Sequence, residues 1–412
     1  MVMDNIQTET VRLVEWLSEF GKDPAGGVSR LLYSEAWTAA QKALEQYMQA
    51  EGFTTYYDEV GNLFGRLEGS QFPDETIMSG SHVDTVLNGG KYDGQYGILA
   101  ALMAIKTLKE TYGQPLRTLE VVSFAEEEGS RFPYTFWGSK NVVGIAKKED
   151  VQDIADFKGV RFTEAMEQAG FGFRKEPVKP RTDIQAFVEL HIEQGNVLER
   201  EGLSVGVVHS IVGQRRFTVE IAGEANHAGT TPMGYRKDAV HAAGRMIQQI
   251  LDLAQANGDP LVTTVGKIEV TPNVVNVVPG KALFTLDIRH TDKAELIRFT
   301  DEVTELMERT AEAIGVELKV DMWMDEDPVP MDQRILDVLE RQCRTNNIPF
   351  KLMHSGAGHD SQIMAKFVPT AMLFVPSRNG ISHNPAEYTS PEHLADGVRA
   401  LTYALHELAY QA

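Results

Sequence analysis

The chain has 412 residues, 42% hydrophobic and 24% charged, with 39 Lys+Arg against 59 Asp+Glu and a formal net charge of −20. At about 150 residues per domain the length asks for two domains or more, and the composition excludes a fibre or a disordered chain. The acidic balance argues against nucleic acid or an anionic membrane as partner. The single cysteine, Cys343, excludes an intrachain disulfide and thiolate zinc sites and suits a reducing compartment. The polar Met1–Phe20 segment lacks a signal-peptide core, and no apolar run reaches about 18 residues, so the cytoplasm is the expected location.

In chain order, Val11, Leu13, Val14, Leu17 and Phe20 fall near helical spacing, and Ala36–Met48 reads as a helix. Strands follow at Phe53–Asp58, Asn62–Leu67 and Thr76–Ser81, then a helix at Gly97–Tyr112 and a buried strand at Leu119–Phe124. Such alternation predicts an α/β sheet with its ligands at strand ends. From Gly213 the pattern changes. Strands at Arg216–Ala222, Leu261–Val270, Ala282–Arg289 and Val316–Met322 enclose helices at Lys237–Ala256 and Ala294–Ala313. That β-α-β-β-α-β order is ferredoxin-like. After Pro328-Val329-Pro330 the first pattern resumes, with a helix at Asp332–Asn346, a strand at Thr370–Val375 and a closing helix at Pro391–Tyr410. The expected organisation is a discontinuous domain, 1–212 plus 330–412, interrupted by an inserted domain, 213–329.

Of the eleven histidines, most are expected to be structural or solvated. Three stand apart by context. His82 ends a strand in Ser81-His82-Val83-Asp84, where Asp84 lies on the same side and could hold the imidazole in one tautomer. His191 lies at a strand end in Glu189-Leu190-His191-Ile192-Glu193, and His383 in a loop fixed by Asn384-Pro385. Asp93 sits among glycines in Gly89-Gly90-Lys91-Tyr92-Asp93-Gly94. Glu126-Glu127-Glu128-Gly129 follows a buried strand. Three adjacent carboxylates ordinarily mark a solvated loop. The sharper reading is that one binds a cation, which makes their closeness tolerable, while a neighbour stays free as a general base. His82, Asp93, one of Glu126–Glu128, His191 and His383 then make five N/O ligands. Imidazole and carboxylate without thiolate suit Zn, Mn, Co or Ni. Five ligands exceed one tetrahedral site, and a carboxylate shared between two metals accounts for the count. With no phosphate loop, no Gly-x-Ser-x-Gly elbow and no cysteine-nucleophile motif, water activated by metal is the leading mechanism.

These stretches resemble the M20 family of dinuclear metallo-amidohydrolases, in its branch acting on ureido (carbamoyl) substrates. Further carriers are Asn226-His227-Ala228-Gly229-Thr230-Thr231-Pro232 and Met353-His354-Ser355-Gly356-Ala357-Gly358-His359-Asp360. The resemblance implies a zinc-peptidase-like α/β catalytic domain and an inserted ferredoxin-like α+β domain that serves as lid and homodimer surface. It implies two divalent ions per subunit, manganese or zinc, held by His82, Asp93 as bridge, Glu128, His191 and His383. Glu127 is then the general base; the triple glutamate leaves open a register one step earlier, with Glu126 as base and Glu127 as ligand. The family's peptidases usually carry a carboxylate where this chain has His191, which fits the ureido branch. For the substrate, the resemblance assigns Arg289 to a carboxylate, Asn276 to an amide contact and His227 to the scissile group. Gln214, His359 and the Gly358 backbone are further candidates. The expected partner is a small ureido acid; the resemblance carried by Phe132–Lys140 and Gly213–Arg216 implies one bearing two ureido groups, with an N-carbamoyl amino acid or ureidopropionate as the alternative.

Overall fold

The structure, a computed structural model, describes residues 5–174 and 181–411. It divides into two compact units: one runs to His209 and resumes at Met331, and the other is Ser210–Pro330. Among the described residues no helix is long and apolar enough to cross a membrane.

The first unit is built on a mixed sheet. Its strands are β1 (Thr54–Tyr57), β2 (Leu63–Leu67), β3 (Phe72–His82), β4 (Arg117–Phe124), β5 (Ile184–Ile192), β6 (Val205–Ile211), β7 (Phe350–Ser355) and β8 (Thr370–Val375). The order is β1-β2-β4-β3-β5-β8-β6, with β7 also on β6. The central strands β4, β3, β5 and β8 are mutually parallel, and β2 and β6 flank them antiparallel. β4 and β8 are buried along almost their whole length, as expected of strands covered on both faces. The helix Gln95–Tyr112 is apolar nearly all round and accordingly buried. It packs with Pro391–Tyr410, which starts on a Ser390 cap followed by Pro391 in the first turn.

The second unit has the strands Gly213–Ala222, Val262–Thr271, Lys281–His290 and Glu317–Glu326. The last strand lies beside the first, then come the third and the second, every neighbour antiparallel. This is the split β-α-β arrangement expected from the sequence. One sheet face carries Phe217, Val219, Ile221, Phe284, Leu286 and Ile288 against Met246, Ile250, Phe299, Val303 and Met307 of its two helices. The alternate residues Gln214, Arg216, Asp287 and Arg289 therefore share the other face.

Boundaries moved where capping decided them. The helix predicted from Lys237 begins at Ala239, because the Asp238 carboxylate accepts the Val240 and His241 N–H groups at 2.9 and 3.0 Å. The amphipathic N-terminal segment forms the helix Ile6–Ser18; Met1–Asp4 lie outside the described residues. The strands β6 and β7 and the short helices Trp137–Val142 and Asp360–Met364 carry no clean period and were not predicted. Their burial comes from neighbours remote in sequence.

Candidate metal centre

The first unit gathers its reactive groups where its parallel strands end. His82 is the last residue of β3 and pairs in register with Phe124, the last of β4. The chain leaving β4 is pinned at once: the Ala125 carbonyl accepts from Trp37 Nε1 at 2.8 Å and the Ala125 N–H donates to Asn62 Oδ1 at 2.8 Å. The three glutamates thus emerge from a fixed point. β5 delivers His191 one residue before its end. Asp93 stands at the entrance to the helix Gln95–Tyr112, and His383 in the loop after β8 with φ of 53°.

Asp93 is the centre of the cluster. Its Oδ1 lies 3.2 Å from His191 Nε2 and 3.5 Å from His82 Nε2, and its Oδ2 lies 3.4 Å from His383 Nε2. Glu128 Oε2 lies 3.3 Å from the same His383 nitrogen. Two triads result, His82–Asp93–His191 and Asp93–Glu128–His383, each with one donor atom per residue within 4.8 Å of the others; His82, Glu127 and Glu128 form a third. The imidazoles are turned the right way. His191 Nδ1 faces the Ile192 carbonyl at 2.9 Å and His82 Nδ1 the Asp84 carbonyl at 3.0 Å. A carbonyl only accepts, so each Nδ1 donates to it, and each Nε2 points at Asp93 as the nitrogen that would ligate an ion.

The triple glutamate separates by geometry. The Glu126 carboxylate folds back to accept the Gly129 and Trp137 N–H groups, away from the cluster. The Glu127 and Glu128 amides donate to Asp84 Oδ1 and Oδ2 at 3.0 and 3.2 Å, which leaves both side chains beside His82. Asp84 thus grips the glutamate loop as well as lying 3.3 Å from His82 Nδ1, a link that strand-side reasoning alone did not reveal.

Burial, with Glu128, Asp360 and Asp84 nearby as like charges, holds the Glu127 carboxyl well above the ordinary range. Burial also raises Glu128, partly offset by His383. Burial alone would raise Asp93, but the hydrogen bonds with His191, His383 and His82 bring it well below. Among the described residues, the buried Glu128 Oε1 has no hydrogen-bond partner. A lone carboxylate oxygen among crowded carboxylates and imidazole nitrogens turned toward Asp93 fits a divalent cation. The all-N/O donor set fits Mn, Zn, Co or Ni.

Three residues that the sequence did not single out hold Asp93. Gln194 Nε2 and Ser382 Oγ donate to its Oδ2 at 2.8 and 2.7 Å, and Glu387 Oε1 accepts the Tyr92 and Asp93 N–H groups at 2.8 and 3.1 Å. Nothing in their spacing marks them, since their contacts span 101 to 295 positions. Gly94 is equally constrained. Its φ is 66°, and a Cβ there would lie 2.4 Å from His82 Cε1. Gly94→Ala is expected to displace the His82 ring, weaken metal affinity by about 10–100-fold and cost roughly 1–3 kcal/mol of stability. Metal titration and thermal denaturation measure both.

The other predicted residues lie elsewhere. His359 is buried against the His191 ring, 4.6 Å between centroids, with Nε2 3.0 Å from Ser355 Oγ. Burial and then His191 push its pKa well down. A Cβ on Gly358 would sit 2.9 Å from Gln362 Oε1 and 3.1 Å from Phe136 Cζ, so this backbone is closely approached. Gln214, His227, Asn276 and Arg289 belong to the second unit, in two groups. Exposed His227 pairs with Val277, its Nδ1 accepts the Gly229 N–H at 3.0 Å, and the Ala228 N–H donates to the Asn276 carbonyl at 3.0 Å. Gln214 and Arg289 face each other across two strands, and both donate to Asp287.

A mixed α/β sheet with such a cluster at its parallel strand ends defines a metallohydrolase class. The sequence model of peptidase family M20/M25/M40 matches residues 78–407, and the chain belongs to that family. Its members are metal-dependent hydrolases, and the cluster is a group able to hold metal. The chain is 56% identical over 396 residues to the allantoate amidohydrolase of Escherichia coli strain K12, covering 96% of each chain. It is 48% identical over 406 residues to the allantoate amidohydrolase of Bacillus subtilis strain 168, covering 98% of each. Among solved structures, an amidase of the hydantoinase/carbamoylase family from Burkholderia multivorans matches with a TM-score of 0.92 at 32% identity, over 98% of both chains.

Proposed function

We propose that the chain hydrolyses allantoate to ureidoglycine, ammonia and carbon dioxide in purine (allantoin) degradation. The observation that carries the substrate is the 56% identity, over 96% of both chains, to a relative with that activity in its name. The chemistry rests on the Asp93-centred cluster. His82, Asp93 and His191 would hold one ion and Asp93, Glu128 and His383 a second, with Mn²⁺ or Zn²⁺ as the candidates. Divalent ions bound there supply Lewis-acid chemistry, lowering the pKa of water and polarising an oxygen.

The remaining roles fall to the chain. Glu127, whose backbone is anchored on Asp84, takes the proton of the attacking water as its oxygen bonds to the terminal ureido carbonyl carbon. The carbon–nitrogen bond then breaks, and Glu127 returns the proton to the leaving nitrogen, which becomes the amine of ureidoglycine. The other product, carbamic acid, divides into ammonia and carbon dioxide. His227 is assigned to stabilising the developing oxyanion, Arg289 to the substrate carboxylate and Asn276 and Gln214 to its polar groups; Gly358 and His359 complete the assignment. A cytoplasmic homodimer, with the inserted unit as lid and dimer surface, is the assembly that the family resemblance implies.

Ammonia release from metal-stripped protein tests this reading, with allantoate and a panel of N-carbamoyl amino acids, each with and without Mn²⁺. Mn-dependent turnover of allantoate is expected. Turnover of carbamoyl amino acids alone would move the error to the residues of the second unit, and no turnover with any metal would end the enzyme reading.

A further inference from the structure

On the open sheet face of the second unit, three side chains from two paired strands converge on one carboxylate. Arg289 Nε donates to Asp287 Oδ1 at 2.9 Å and Arg289 Nη2 to Asp287 Oδ2 at 2.9 Å. Gln214 Nε2 and Arg216 Nε donate to the same Oδ2 at 2.8 and 3.0 Å. The strand register dictates this meeting. Arg216 lies opposite Asp287 and Gln214 opposite Arg289, and residues two apart on a strand share a face. The group is half-buried, with side-chain exposures of 24% for Asp287, 28% for Arg289 and 33% for Arg216. The Arg216 guanidinium also lies over the Trp323 ring, 5.6 Å from its centroid. Partial burial would raise the Asp287 carboxyl, but Arg289 and Arg216 hold it below its ordinary value.

We propose that Asp287 is a positioning residue for substrate recognition, which locks the Arg289 guanidinium and the Gln214 amide in the orientation that receives the substrate carboxylate. The inference rests on the assignment of Arg289 to that carboxylate. An unrestrained arginine loses rotamer freedom on binding, and a two-point hydrogen bond on a rigid strand removes that cost beforehand. Asp287 also sets the charge. Arg216 and Arg289 carry two positive charges and Asp287 one negative, so this group of three keeps one net positive charge, matched to a monoanion. Without the carboxylate the two guanidiniums repel each other and Arg289 swings away.

The test uses the metal-loaded full chain and two substrates, allantoate and its neutral carboxamide counterpart. For Asp287→Asn the loss is expected in KM for allantoate, which rises about tenfold, as for one charge-assisted contact weakened. The low kcat/KM for the carboxamide is expected to stay within twofold. Asp287→Glu, which keeps the charge, should restore part of the allantoate KM, and it decides the question alone if the asparagine variant does not fold. A fall in both substrates together would mean a merely structural role. An unchanged or lowered KM for allantoate would mean that Asp287 is idle or competes with substrate. Either result overturns the inference. Arg289→Gln separates the two levels: if it leaves the allantoate KM unchanged, the assignment of Arg289 fails. If it raises that KM while Asp287→Asn does not, only the role of Asp287 fails.

Discussion

Glu127→Gln is expected to lower kcat for allantoate by about 10²–10⁴-fold, the usual contribution of a positioned general base, with metal content unchanged. The amide keeps the shape of the carboxylate and can neither take the proton of water nor return it to the leaving nitrogen. Glu127 belongs to neither of the two triads centred on Asp93, so its loss should spare ion binding. Metal analysis beside steady-state kinetics checks both halves. A variant that loses its metal along with its rate would assign Glu127 to ligation. Glu126→Gln is the register control. Its carboxylate accepts two backbone N–H groups rather than facing the cluster, so a loss of stability is expected before any loss specific to kcat.

Asp93→Ala has the other large effect, because one side chain serves both triads. Its Oδ1 faces His82 and His191, and its Oδ2 faces His383. Removing it is expected to empty both metal positions and to reduce activity at least as far as loss of the base. The direct readout is metal content after dialysis. A second is thermal: an ion that binds only the folded chain adds about 2.7 kcal/mol at a free concentration of 100 Kd. Mn²⁺ should therefore raise the melting temperature of the metal-stripped parent and leave the variant where it was. Retention of one full equivalent of metal by Asp93→Ala would refute the shared-carboxylate arrangement.

Most of the fold was legible because the elements have clear periods. The strand Thr370–Val375 and the helix Pro391–Tyr410 lie where the pattern puts them, one a short apolar run and the other opened by a serine cap and a proline. The change from buried to half-buried alternation near Gly213 announced the second sheet. The strand Val205–Ile211 escaped because Gly206, His209 and Ser210 interrupt its apolar run; its place in the sheet comes from pairing with β8.

For the site, residue type and position at strand ends determined the candidates: His82, Asp93, the glutamate run, His191 and His383 all follow from chemistry that can be read one segment at a time. Which glutamate faces the cluster was decided only in three dimensions, because it depends on the amides that Asp84 captures and on those that Glu126 caps. The same holds for Gln194, Ser382 and Glu387, which support Asp93 across 101 to 294 positions, and for Asp287, which besides its strand neighbour Arg289 holds Gln214 and Arg216 from a strand 73 and 71 residues away. Periodicity and capping are local, so sequence carries them openly. Hydrogen-bond partners that orient a reactive group are chosen by the packing of distant strands, and that exists only once the chain has folded.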